Sequence, residues 1–141
     1  MKKQEALNSL ERVVRTRYLA TQQELRQHVK IEMQLRAELA RLDQQAKDAD
    51  GQMKPSMKMI GADIIWKSWL GRTRTELNLK LAQTLAQKEG YLKRVRAAYG
   101  KVLVAEELKE DLFDRTRKSA RQSEMERSIE MTLTPGSKTR R

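Results

Sequence analysis

The one histidine of the chain, His28, stands four residues ahead of Glu32, a spacing that puts both side chains on one face of a helix. An imidazole beside a carboxylate can act as a general base or begin a metal site. Neither chemistry is completed here. The chain has no cysteine and no second histidine, so a metal would lack its further thiolate or imidazole ligands. The neighbours of the pair form a helix seam rather than a pocket deep enough to shift a pKa. His28 is therefore expected to pair with Glu32 as a polar step in the seam, fixing register as single polar seam residues do. No catalytic residue, metal, cofactor or small-molecule substrate is expected.

Two further groups carry recognition rather than catalysis. Trp66-Lys67-Ser68-Trp69 sets the only two tryptophans of the chain three residues apart, on neighbouring faces of one helical turn. Such rings serve equally as anchors for a partner and as packing over Leu42 and Ala46. Lys88, Lys93, Arg94, Arg96 and Lys101 form a basic cluster that could hold phosphates. It lacks interleaved aromatics, zinc ligands or a recognition-helix pattern, so a solvated helix face is the plainer reading and nucleic acid is not the expected partner. Net charge is +11 over 141 residues, and most of it is in the middle: residues 51–101 hold 11 Lys/Arg against 3 Asp/Glu, an excess of +8. A field so placed attracts an acidic surface.

The elements that position these groups follow from periodicity. Stepping by four and three, Val14, Tyr18, Thr21, Leu25, His28, Glu32, Leu35, Leu39, Leu42, Ala46 and Ala49 line one helix, and Leu77, Leu81, Thr84, Lys88, Tyr91, Val95, Ala98, Val102, Ala105, Lys109 and Leu112 line another, widened by Leu85, Leu92, Tyr99 and Phe113. Each helix has one apolar seam. Across the Gly/Pro-containing break near Asp50 to Pro55, each is the other's nearest partner. The expected fold is all-α, two long helices forming an antiparallel coiled-coil hairpin. With 38% apolar and 35% charged residues, the chain makes a rod rather than a broad core.

Residues 1–134 are expected to form the hairpin, with helix one over about 4–49, the connector over about 50–62 and helix two over about 63–132. Residues 135–141, past Thr134-Pro135-Gly136, are expected to be a disordered basic tail. Asp50-Gly51 is the expected stop of helix one. Helix two either starts with Asp63 as its cap or breaks at Gly71 and restarts from the capping box Thr73-Arg74-Thr75-Glu76. The connector carries Met53, Met57 and Met59, side chains that pack adaptably. Gly90 and Gly100 interrupt helix two, and a close approach of the partner backbone is the expected reason. Opposite charges in Glu106-Glu107-Leu108-Lys109-Glu110-Asp111 and Arg115-Thr116-Arg117-Lys118 should pair along the helix. Met125, Ile129 and Leu133 leave an apolar side on a C-terminal overhang. The opening Met1-Lys2-Lys3-Gln4-Glu5 has no apolar run behind it, so it is not read as a signal peptide or anchor, and a cytoplasmic setting is expected.

A short, basic, cysteine-free helical pair with this content resembles the FliJ family of flagellar export proteins and its type III secretion counterparts. The likeness is carried by the run Leu7, Leu10, Val13, Val14 and Arg15 through Tyr18 to Leu25, by the turn near Gly61 and by Trp66-Lys67-Ser68-Trp69. The resemblance implies a non-enzymatic stalk whose paired termini insert into a hexameric export ATPase and whose tip meets the export-gate protein and export chaperones, peripheral to a membrane at most. It assigns Lys2, Lys3, Arg12, Arg15, Arg115, Arg117 and Arg121 to the ATPase end. To the tip it assigns Leu39, Leu42, Ala46, Met59, Trp66, Trp69 and Leu70. Family tips carry tyrosines late in helix one, where Leu42 and Ala46 stand here. Two alternatives remain open at this point: a basic coiled coil that binds nucleic acid, and a structural dimer whose seams pair between chains.

Overall fold

The computed structural model describes residues 2–52 and 54–134. Met53, the side chain of Met57 and the expected tail at 135–141 lie outside the described residues. Three helices follow one another: α1 (Lys2–Gln52), α2 (Pro55–Met59) and α3 (Ala62–Leu133). Helix α3 exceeds α1 by 72 − 51 = 21 residues. The chain divides into two compact units, one of residues 18–97 and one of residues up to 17 with those from 98 on. In each unit a stretch of α1 packs antiparallel against a stretch of α3, so the seams pair within one chain.

In the unit of residues 18–97, Leu35, Leu42, Leu70 and Leu77 are the buried centre, with Leu39, Ala46, Trp66 and Leu81 packed against them. Each leucine withdrawn from water contributes roughly 1.5–3 kcal/mol. The second seam starts earlier than expected. Trp66, Leu70, Thr73 and Leu77 already keep the four-three rhythm, and the first two belong to this cluster. In the other unit, Val14 of α1 and Ala98, Val102 and Ala105 of α3 are buried. The four residues expected to widen the second seam do so only at Leu92, which is half-buried, because Leu85, Tyr99 and Phe113 face solvent.

The turn corrects three expectations. Helix α1 runs through Gly51 to Gln52, because the clash a proline imposes on the residue before it is the stronger stop: Lys54 is extended at φ −75°, ψ 149°, ahead of Pro55 at the first helical position of α2. The connector thus holds one helical turn. Gly61 follows with φ +82°, its N–H donating to the Lys58 carbonyl at 3.2 Å, a left-handed close to a short helix that glycine adopts without strain. Helix α3 then starts at Ala62 and passes through Gly71 unbroken. Asp63 lies inside its first turn rather than at the cap, and the Thr75 hydroxyl donates back to the Gly71 carbonyl at 2.8 Å instead of capping a new start.

Close packing does not explain Gly90 and Gly100. A Cβ built at either would meet no atom within 4 Å, and both lie inside continuous helix. Alanine there gains helix propensity and meets nothing, so Gly90→Ala and Gly100→Ala should each raise unfolding stability by about 0.5–1 kcal/mol in urea titrations followed by circular dichroism. Gly61→Ala should lower it by about 1 kcal/mol, since its φ lies in the left-handed region. In the same assay Leu42→Ala, at the centre of the cluster, should cost about 2–4 kcal/mol.

Candidate functional site

Three places deserve description as sites: a polar layer between the helices, the turn, and the groove where α1 begins. In the polar layer, α1 contributes His28 and Glu32 and α3 contributes Thr84, Lys88 and Tyr91, all within the unit of residues 18–97. His28 Nε2 lies 2.6 Å from the Thr84 carbonyl. A carbonyl can only accept, so Nε2 carries the proton. The ring rests on Tyr91 with centroids 4.6 Å apart, and the Thr84 hydroxyl donates to the Lys80 carbonyl at 2.8 Å.

Glu32 does not pair with His28. It accepts from Lys88 Nζ at 3.0 Å across the layer and from Arg36 Nε at 3.3 Å along α1. The imidazole is engaged with the Thr84 carbonyl, and the buried carboxylate takes charge-assisted bonds from an ammonium and a guanidinium instead. The Lys88 bond, more than Arg36, holds the Glu32 carboxyl below its ordinary value, against the opposing effect of its removal from water.

The basic cluster is largely occupied. Besides Lys88, Arg94 reaches Glu24 at 3.7 Å and lies over the Tyr91 ring, and Arg96 reaches Glu89 at 3.5 Å. Lys93 and Lys101 are exposed. Exposed pairs of this kind are worth about 0–1 kcal/mol each. The acidic stretch near residue 106 likewise bonds across rather than along the helix: Arg15 donates to Glu106 at 2.6 Å, and Lys109 to Glu11 at 3.0 Å. Lys109 first, then Arg15, lowers the Glu11 pKa.

At the turn, the residues assigned to a tip separate into two sets. Leu42 and Leu70 are buried, and Leu39, Ala46 and Trp66 are half-buried around them, so all five pack into the tip. Met59 and Trp69 are exposed. The Trp66 and Trp69 rings are stacked, with centroids 5.2 Å apart and planes 20° apart; Trp66 is held by the core and Trp69 by Trp66. Trp66 Nε1 and Asp63 Oδ1 are buried there without a hydrogen-bond partner. Ile60, Ile64 and Ile65, not assigned from sequence, are exposed beside Met59 and Trp69. The signal was the run Ile64-Ile65-Trp66, since three consecutive helical residues cannot all face one seam.

Where α1 begins, Lys2, Lys3, Leu7, Leu112 and Phe113 line a groove of about 1350 Å3 with Glu106, Lys109 and Asp114. Of the cations assigned to this end, Lys2 and Lys3 border the groove. Arg15 is tied to Glu11 and Glu106, and Arg117 lies over Phe113 at 5.7 Å. Arg12, Arg115 and Arg121 are exposed. Past the groove, α3 continues with Met125, Ile129 and Leu133 facing solvent. Among the described residues no helix is long and apolar enough to cross a membrane, and no group of three or more potential ligands is placed to hold a metal.

The two lowered carboxyls set an acid limit on stability. A group whose folded pKa is depressed contributes stability above its unfolded value, here 4.5, and loses it as pH falls through the folded value. Thermal midpoints should therefore fall on acidification below about pH 4.5. In the double variant Glu11→Gln, Glu32→Gln that acid-side slope should be shallower; an unchanged slope would assign it to other groups. No family model, curated protein or solved structure matches this chain.

Proposed function

We propose that this chain is a non-enzymatic helical stalk and adaptor of a flagellar or type III export apparatus, working in the cytoplasm. In this reading its termini engage a hexameric export ATPase and its tip engages an export gate and export chaperones. The observation that carries it is the pairing of two long seams inside a single chain, which gives an asymmetric element able to sit within a ring without itself being ring-symmetric. The resemblance to the FliJ family supports it, and so does the placing of cations around the start of α1 and on α3 beyond it: Lys2, Lys3, Arg12, Arg115, Arg117 and Arg121 are all exposed. An acidic lining in the ring would be drawn to them. Met59 and Trp69 are the tip residues open to a gate.

Adding the purified protein to the cognate export ATPase should promote ring assembly and raise hydrolysis, saturating at one chain per ring. Replacing Arg115, Arg117 and Arg121 by glutamate should abolish that effect while circular dichroism stays unchanged. No binding and no change in rate or assembly would overturn the reading. Affinity for duplex or single-stranded nucleic acid that persists at physiological salt would favour the basic coiled-coil alternative instead.

A further inference from the structure

Around Gly61 the stalk reading gives no role to Ile60, Ile64 and Ile65, which are exposed beside Met59 and Trp69. Met59 is 88% exposed, Ile60 79%, Ile64 69%, Ile65 71% and Trp69 42%. Ile65 and Trp69 are four apart and Arg72 follows three later, so the three share one side of α3, with Ile64 on the adjoining side. Solitary exposed apolar residues are ordinary, but a contiguous group marks a contact surface.

We propose that this turn docks on an anionic lipid surface, placing Met59, Ile60, Ile64, Ile65 and Trp69 among the acyl chains and glycerol region while Lys54, Lys58, Lys67 and Arg72 meet the headgroup phosphates. Charge complementarity selects this occupant. Of the seven polar side chains from 54 to 72, four are cations (Lys54, Lys58, Lys67 and Arg72), two are serines and one is acidic, Asp63. Widening the count to residues 46–72 adds Lys47, Asp48 and Asp50, for 5 − 3 = +2. All four cations are exposed. Isoleucines surrounded by lysines suit a fluid interface, which accepts protruding chains without a matching pocket. Tryptophan favours that depth as well, and the stack on core-held Trp66 keeps Trp69 outward before binding. Since no described helix is long and apolar enough to cross a membrane, the proposed attachment is interfacial.

The proposal does not rest on the export reading, and its test uses the full chain with vesicles alone. Against phosphatidylcholine vesicles with and without phosphatidylglycerol, binding by co-sedimentation should be about tenfold tighter to the anionic ones and weaken as salt is added. Tryptophan emission should shift to the blue and be quenched by brominated acyl chains. Ile60→Ser, Ile64→Ser and Ile65→Ser together should remove quenching with no change in helicity or thermal midpoint, because these side chains are exposed. Lys54→Gln, Lys58→Gln and Lys67→Gln together should remove the preference for phosphatidylglycerol. Equal affinity for both vesicles, absence of quenching, or unchanged binding by the isoleucine variant would overturn the proposal. Should the wild type ignore vesicles while the isoleucine variant loses a protein partner, the turn is a protein interface and the lipid assignment is wrong.

Discussion

Apolar side chains recurring every three to four residues along a helix must be covered, and on α1 and α3 the cover is supplied by the same chain. Everything else in the molecule follows from that burial. Neither helix has a broad core to lie on. Among the described residues no large side chain is completely shut off from water; stability is spread thinly along two seams, as leucines in one unit and as valine and alanine in the other. Polar side chains in such a narrow interface need partners of their own, and they find them across it: His28 on the Thr84 carbonyl, Glu32 on Lys88, Glu11 on Lys109 and Arg15 on Glu106.

Burial also decides which residues remain available for recognition. A leucine that closes the tip cannot face a partner, so Leu42 and Leu70 act on any contact only through the shape they support. The side chains left outside are those whose helical angle points away from the seam. At the turn these are isoleucines, a methionine and Trp69, with lysines between them. On α3 beyond the start of α1 they are Met125, Ile129 and Leu133 among mixed charges.

Seam periodicity made the fold legible in the sequence: every expected position of the first seam, from Val14 to Ala49, is buried or half-buried. What periodicity could not resolve was competition between local signals. Gly51 and Lys54-Pro55 both stop helices, and the steric exclusion by proline overrode the mild preference of glycine. Gly71, Gly90 and Gly100 look alike in sequence to glycines that admit a close neighbour, but the space beside each is open. His28 and Glu32 were recognisable as polar seam residues, yet their partners depended on what α3 placed opposite. Lys88 appeared in the second seam and also in the basic cluster, and only the pairing of the helices shows that it belongs to the first. The exposed isoleucines were readable in principle, since the angle between consecutive helical residues already excludes Ile64 and Ile65 from Trp66's seam.

The Glu32–Lys88 contact has a mechanical corollary. If α1 were to creep along α3 by one heptad in either direction, the leucines would find fresh apolar neighbours almost as good as the old ones, so hydrocarbon alone would offer little resistance. The carboxylate would then sit opposite Leu81 or Val95 instead of an ammonium group, left with only Arg36 of its own helix. The Glu32–Lys88 pair, with His28 on the Thr84 carbonyl, therefore opposes axial slippage of one helix along the other at this layer.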